Sequence, residues 1–212
     1  AKEFGEQKYQ ESIKNFQQME KRFKELPHTR IVMTGTSPYD ETAQIKDNTV
    51  FKKKNETIKR IIEYQRESAA RNGWEFTDWN APMVAINQEL QQKDPSFTLC
   101  GNDRIHPDND GHMVMAYLFL KAQGFAGKDV ANMEINANKK QAVKAEGCTI
   151  SNIKKIGKDI SFDYLAEALP YPLDTIARGW GSKKSQAEVI ELSEFLAYCD
   201  YYRDEEESAA KK

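Results

Sequence analysis

The 212-residue chain lacks any apolar run long enough to span a bilayer, since a transmembrane helix needs about 20 such residues in succession. It also lacks an excess of charge. Its 31 basic and 33 acidic side chains leave a formal net charge of −2, which removes any electrostatic argument for nucleic acid or an anionic membrane as partner. Cysteine is scarce: Cys100, Cys148 and Cys199 are odd in number and far apart, a pattern that offers neither a disulfide framework nor a metal-ligand spacing. An initiator Met and a charged-then-apolar leader are both missing, so any targeting segment is expected upstream of Ala1.

What is there reads as a soluble globular protein, with 30% charged and 39% hydrophobic residues, enough for one domain with a real core plus a small appendage. Helix is expected from about Phe4, because Tyr9, Ile13, Phe16, Met19, Phe23 and Leu26 recur at steps of three and four, one face of an amphipathic helix that Pro27 ends. Ile31-Val32-Met33, within Arg30 to Thr34, is short, apolar and rich in β-branched residues, as a buried strand should be. Gly35 to Asp40 then leaves that strand as a loop. Phe51, Ile58, Ile61, Ile62, Gln65 and Ala69 mark a second helix, closed by Asn72-Gly73. Trp74 to Trp79 is a strand candidate, and Pro82 sits early in a third helix through Met83, Ile86, Asn87 and Leu90.

Helix and strand therefore alternate, which predicts βαβ units on a parallel sheet, with active groups in loops at the carboxyl ends of strands. That directs attention to the loops after residues 34, 79 and 100. The last opens directly into Met113 to Ala122, apolar on nearly every side and expected to be buried all round, with Gly124 as its stop. From about Val130 the pattern changes. Met133 to Asn136, Ala142 to Ala145, Thr149 to Ile153 and Ile160 to Tyr164 alternate in part between glycines, which predicts a small β-rich appendage. A loop holding Pro170, Pro172 and Gly179-Trp180-Gly181 follows, then a last helix over Gln186 to Tyr202 and a charged tail. No internal repeat is present.

The residues suited to chemistry lie in the loop after residue 100. A general base needs an imidazole whose one nitrogen is free while a carboxylate holds the other and stabilises its cation. Asp103 and His106 are three residues apart in a turn, close enough to fold onto each other. An isolated Asp-x-x-His also occurs where the Asp merely caps a turn. The surrounding residues read Asn102-Asp103-Arg104-Ile105-His106-Pro107-Asp108-Asn109-Asp110-Gly111-His112. This stretch closely resembles the last block of the GDSL/SGNH hydrolases, where an Asp-x-x-His-Pro loop precedes a Gly-His and a buried helix. Arg30 to Asp40, residues 50 to 90, and the Leu-Pro-Tyr-Pro and Arg-Gly-Trp-Gly of Ile160 to Trp180 are similar to other parts of the family. The resemblance extends over about Lys8 to Leu196.

It implies an α/β protein, a three-layer α/β/α domain with a central parallel sheet (SGNH or flavodoxin-like), incomplete in this chain and followed by a small β-containing extension. On that basis residues 1–126 form the C-terminal part of the hydrolase domain, 127–202 the β-rich extension with its final helix, and 203–212 the charged tail. Asp103 becomes the orienting acid and His106 the general base of a serine esterase, with His112 a structural side chain that holds the loop by a hydrogen bond. The substrate class is a small-molecule or carbohydrate ester, no cofactor or metal is required, and export is the family habit.

The family's Gly-Asp-Ser block and its oxyanion blocks are absent from this sequence. The resemblance therefore assigns the nucleophile, the oxyanion donors and the first strands to an upstream segment. Ser37, after a buried strand, is a substitute nucleophile in a familiar chain order, but it lacks the second Gly of a nucleophile elbow and fits better as a residue lining the loop. Asp108, Asp110 and His112 alternate as calcium ligands do, yet the twelfth position of such a loop would be Phe119. Asp108 and Asp110 fit instead as solvated carboxylates at a helix N-terminus. Trp79 and Trp180 could stack on a sugar but fit packing better, and Asn55-Glu56-Thr57 is a glycosylation-type triplet inside a helix. The alternative from another class is a non-catalytic glycan-binding or decayed hydrolase module.

Overall fold

The computed structural model of the chain describes residues 5–46, 49–168, 175, 176 and 185. The loop of Pro170, Pro172 and Trp180, the helix expected over Gln186 to Tyr202, and the tail 203–212 lie outside the described residues, as do Phe4 and Cys199. The chain divides into two compact units, Ala1–Gln123 with Asp174–Lys212, and Gly124–Leu173. No helix among the described residues is long and apolar enough to cross a membrane.

In the first unit the elements run α1 (Glu6–Lys24), β1 (Val32–Thr34), α2 (Lys54–Asn72), β2 (Glu75–Thr77), α3 (Asn80–Gln91) and α4 (Asn109–Ala122). The strands pair in parallel, Val32 with Glu75, Met33 with Phe76 and Thr34 with Thr77, and Gly35 N–H extends the ladder to the Thr77 carbonyl at 2.8 Å. A mixed helix-and-sheet unit with a small parallel sheet is compatible with the α/β class expected from the alternation. Ile13 and Phe16 of the α1 stripe are buried, whereas Met19 and Leu26 stay about half exposed. Phe16, Met33 and Ala69 form one buried cluster with Tyr64, Trp74 and Phe76 against it, and Phe16 meets Tyr64 edge-on at 6.0 Å. Helix α1 ends at Lys24, three residues before Pro27, because the proline ring disfavours the helical conformation at Leu26 and supplies no N–H. Gly73 closes α2 in the left-handed conformation at φ 67°, its N–H bonded to the Ala69 and Ala70 carbonyls, as Asn-Gly predicts.

A second cluster joins α3, the segment 99–100 and α4 through Met83, Ile86, Leu99, Cys100, Val114 and Leu118. Burial of each such large side chain stabilises by about 1.5–3 kcal/mol, so this cluster fixes where the 101–108 loop starts and ends. The expectation that 113–122 is buried all round is not met. Helix α4 buries Asn109, Gly111, Val114 and Leu118, whereas Leu120 is 51% exposed. Among the described residues only one face of α4 is packed, so apolar composition all round did not translate into burial all round.

The second unit is built of hairpins: β3 (Asn132–Asn136) with β4 (Gln141–Glu146), and β5 (Cys148–Ile156) with β6 (Asp159–Ala166). Both pairs are antiparallel. Gly157 and Lys158 turn the chain between β5 and β6, and Asn152 at φ 52° marks a register shift between Ser151 and Lys154, the signature of a bulge.

Candidate active site

The 35–40 loop leaves the carboxyl end of β1 and meets the 101–108 loop there. Asp40 N–H donates to the Arg104 carbonyl at 2.8 Å, and the Ser37 hydroxyl donates to the Ile105 carbonyl at 3.3 Å. Ile105 also packs against the buried cluster of Tyr39, Ile58 and Ile62. The carboxyl ends of parallel strands are where such loops gather.

Two glycines let the 101–108 loop close. Gly101 adopts φ 63°, and a Cβ there would stand 2.7 Å from the His106 carbonyl oxygen. Gly111, in the first turn of α4, lies so close to the Leu99 carbonyl that a Cβ would run into that oxygen and into Pro107. Asp108 caps the same helix, its carboxylate accepting from Asn109 N–H at 2.6 Å. Asp108 at the cap and Asp110 in the first turn therefore sit where the helix dipole favours them.

Within that frame Asp103 and His106 come together. The Nδ1 atom of His106 and Oδ2 of Asp103 are in hydrogen-bond contact, while Asp103 Oδ1 accepts from the backbone N–H groups of Ile105 at 3.1 Å and His106 at 3.0 Å. One carboxylate thus fixes both the ring and the turn that carries it. Partial burial works against the charge on Asp103, but the bond from the His106 ring and the two backbone donors outweigh it, so its carboxyl is held below the ordinary aspartate range. The imidazole side chain is 60% exposed and Asp103 is 41% exposed, so the ring is open to a substrate. A carboxylate-held imidazole on an exposed side chain is the arrangement a general base requires.

Other side chains bear on this pair. Lys54, at the start of α2, sets its ammonium 4.2 Å from the centre of the Tyr39 ring and 5.5 Å from that of Phe51. Burial lowers its pKa, against the attraction of Asp103. Glu41 caps α2 from outside the helix, its carboxylate accepting from Lys53 N–H at 3.0 Å and Asn55 N–H at 2.8 Å. Arg104, between the two site residues, is 1% exposed at φ 70°, a conformation that costs a non-glycine residue about 1–2 kcal/mol. None of the three announces itself in sequence, where lysine, glutamate and arginine are ordinarily solvated.

The remaining sequence candidates fall elsewhere. Ser37 is buried with its hydroxyl on the Ile105 carbonyl, which places it as a lining residue of the loop. The expected side-chain hydrogen bond of His112 is not found among the described residues. His112 is exposed, and it is its backbone N–H that bonds, to the Asp108 carbonyl at 2.9 Å, because the first turn of α4 aims this ring at solvent. Asn55 spends its side-chain oxygen on Tyr39 N–H and the Asn80 amide, so the glycosylation-type triplet is tied into the fold. Trp79 packs against the α3–α4 cluster, with its indole N–H buried and without a partner among the described residues. Burial pushes the Cys100 thiol up to about 12, aided by the charge of Asp40, which leaves it inert beside the loop.

No family model matches the chain, and no curated protein sequence is similar to it at a significant level. Among solved structures it is similar to one described as BT4096, a gut microbial diltiazem-metabolizing enzyme. The two are 99% identical, superpose with a TM-score of 0.79, and share a region covering 87% of this chain and 42% of that one. This chain therefore spans less than half the length of that protein.

Proposed function

We propose that the chain supplies the acid–base half of a serine ester hydrolase of the GDSL/SGNH type, with His106 as general base and Asp103 as the residue that orients it. The observation that carries this reading is the Asp103–His106 contact, doubly braced by backbone donors and open to solvent on the ring side. The near-identical solved chain is described as metabolizing diltiazem, and diltiazem contains an ester, which favours hydrolysis of an ester of a small molecule. The sugar esters implied by the resemblance are a related substrate class.

In this reading a serine in the part of the longer chain that the present residues do not span attacks the acyl carbon. His106 takes the serine proton as the new O–C bond forms, and returns it to the leaving alkoxide when the acyl–oxygen bond breaks. Asp103 keeps Nδ1 protonated and stabilises the imidazolium between those steps. Water then repeats the attack on the acyl-enzyme, with the same ring as base. The two strands β1 and β2 become part of the central sheet of a three-layer α/β/α domain, and a periplasmic or extracellular site of action follows from family habit.

The test uses the full-length protein, an acetyl ester chromogen and a fluorophosphonate probe. His106→Ala is expected to lower kcat by roughly 10³-fold or more and to slow labelling of the serine in step. Labelling and turnover that survive His106→Ala undiminished would remove His106 from the mechanism.

A further inference from the structure

We infer that Arg104 is a positioning residue for His106: its buried guanidinium locks the turn between the acid and the base onto the 40–43 turn, and so sets where the imidazole stands. The inference rests on the reading of His106 as base.

Asp103 and His106 point outward, whereas the left-handed conformation at residue 104 turns the intervening side chain inward. Arg104 is the largest fully buried side chain among the described residues. Its Nη1 donates to two backbone carbonyls of one turn, Asp40 at 3.1 Å and Ala43 at 2.7 Å, while its own carbonyl accepts from Asp40 N–H at 2.8 Å and its own N–H donates to Gly101 at 3.1 Å. The two turns are thus stitched in both directions at one residue.

The receiving turn is itself built for this. The carboxylate of Asp40, 4% exposed, takes no part in binding the guanidinium. Its Oδ1 accepts from Thr42 N–H at 2.9 Å, Thr42 Oγ1 at 2.8 Å and Ala43 N–H at 3.1 Å. Those bonds curl the turn so that the 40 and 43 carbonyls converge on one nitrogen. Gln91, at the end of α3, holds the other carboxylate oxygen from 3.0 Å and the Phe97 carbonyl from 2.9 Å. A chain of bonds therefore runs from α3 through Asp40 and Arg104 to the residue on either side of which the acid and base are mounted. Burying a cation is costly unless its donors are met; here Nη1 is spent on holding a loop at the mouth of the sheet, while Nε is buried without a hydrogen-bond partner among the described residues.

A side chain that only stabilised the fold would lower thermal stability and leave kcat per folded molecule intact. A positioning residue lowers kcat itself, since a displacement near 1 Å costs roughly 10²-fold. The experiment measures kcat and KM with p-nitrophenyl acetate for full-length wild type, R104M, R104K and H106A, with active sites counted by fluorophosphonate and folding checked by circular dichroism. R104M is expected to lose about 10²-fold in kcat with KM little changed. R104K, whose single ammonium can stand between the same two carbonyls, recovers part of the loss. A folded R104M that keeps the wild-type kcat while H106A is dead overturns the inference alone; an active H106A overturns the reading of the base instead. If R104M does not fold, Gln91→Leu carries the test, because it loosens Asp40 at a distance from the ring. A lower kcat at constant KM supports the inference, and an unchanged kcat overturns it.

Discussion

The 98–112 loop with its surroundings and the hairpin unit Gly124–Leu173 place polar and apolar side chains in opposite ways. Around the loop, polar groups are driven inside: Arg104, Asn87, Asp40 and Asn109 are all buried, with Asn87 accepting from Leu99 N–H at 2.8 Å. In the hairpin unit large apolar groups face solvent, with Val143 61%, Ile156 65% and Leu165 69% exposed. Among its described residues Cys148 is the one that is buried. Buried polar networks are costly unless complete, and when complete they specify a single geometry. Among the described residues they are concentrated around the turn that carries Asp103 and His106. The hairpins need only their backbone ladders, so the identity of each outward side chain matters little. Substitutions in the two regions should therefore differ sharply in effect.

On the proposed reading, and after loss of the base itself, the largest effect is expected from Asp103→Asn. The amide keeps the shape of the carboxylate but can hold the imidazole in the wrong tautomer, and it cannot stabilise the cation. In comparable triads this costs up to about 10⁴-fold in kcat, about 5.4 kcal/mol of barrier. The same substitution has a signature in acid. Because the folded-state pKa of Asp103 is depressed, its contribution to stability is present above the unfolded value near 3.9 and fades as pH falls through the lower folded value. The stability gap between wild type and Asp103→Asn should close as pH falls below about 4. A gap that persists unchanged into acid, followed by denaturant unfolding at each pH, would show that the carboxylate's charge is not what the turn holds.

Gly111→Ala comes next. In an exposed first turn, alanine would favour the helix by up to about 1 kcal/mol. Here its Cβ meets the Leu99 carbonyl and Pro107, backbone and a rigid ring that cannot swing aside. Overpacking of this kind costs about 1–3 kcal/mol, so destabilisation wins, and Tm falls by roughly 2–4 °C for each kcal/mol in a chain of this size. Thermal unfolding followed by circular dichroism gives the sign directly, and a raised Tm would mean that the α4 N-terminus can shift away from Leu99.

How far these features were legible in sequence follows the same division. The periodicity of Ile13 and Phe16, the Asn72-Gly73 stop and the partial alternation between Met133 and Tyr164 are local signals, and they located helices and strands to within a few residues. The Asp103–His106 spacing was legible because both partners lie in one turn. What the local signals could not carry was anything decided by a distant segment. Arg104 looks like a spacer until Asp40 and Ala43 arrive from 64 and 61 residues away in sequence to meet its Nη1. Glu41 reads as a surface carboxylate until it caps α2 across the intervening loop. The far side of α4 is apolar in composition, yet the burial of Leu120 depends on whether a neighbour covers it. His112 pointed outward for a similar reason, since helical phase and not residue chemistry set its direction.

The smallest effect belongs to the hairpins. Leu165 pairs across the strands with Thr149, and its side chain is mostly in water. Leu165→Thr keeps a residue suited to a pleated, solvent-facing strand, so stability should change by no more than about 0.5 kcal/mol and activity not at all. Had that side chain been buried under another surface, the same substitution would forfeit about 1.5–3 kcal/mol of apolar burial. Measuring the unfolding free energy of Leu165→Thr in the full-length protein therefore separates the two cases: a small change leaves the hairpin face to solvent, and a loss several times larger would mean that the remainder of the longer chain covers it. Because the site residues lie in the other unit, an accompanying loss of kcat would break the contrast between a region that sets geometry through buried polar bonds and one that tolerates whatever its outward positions hold.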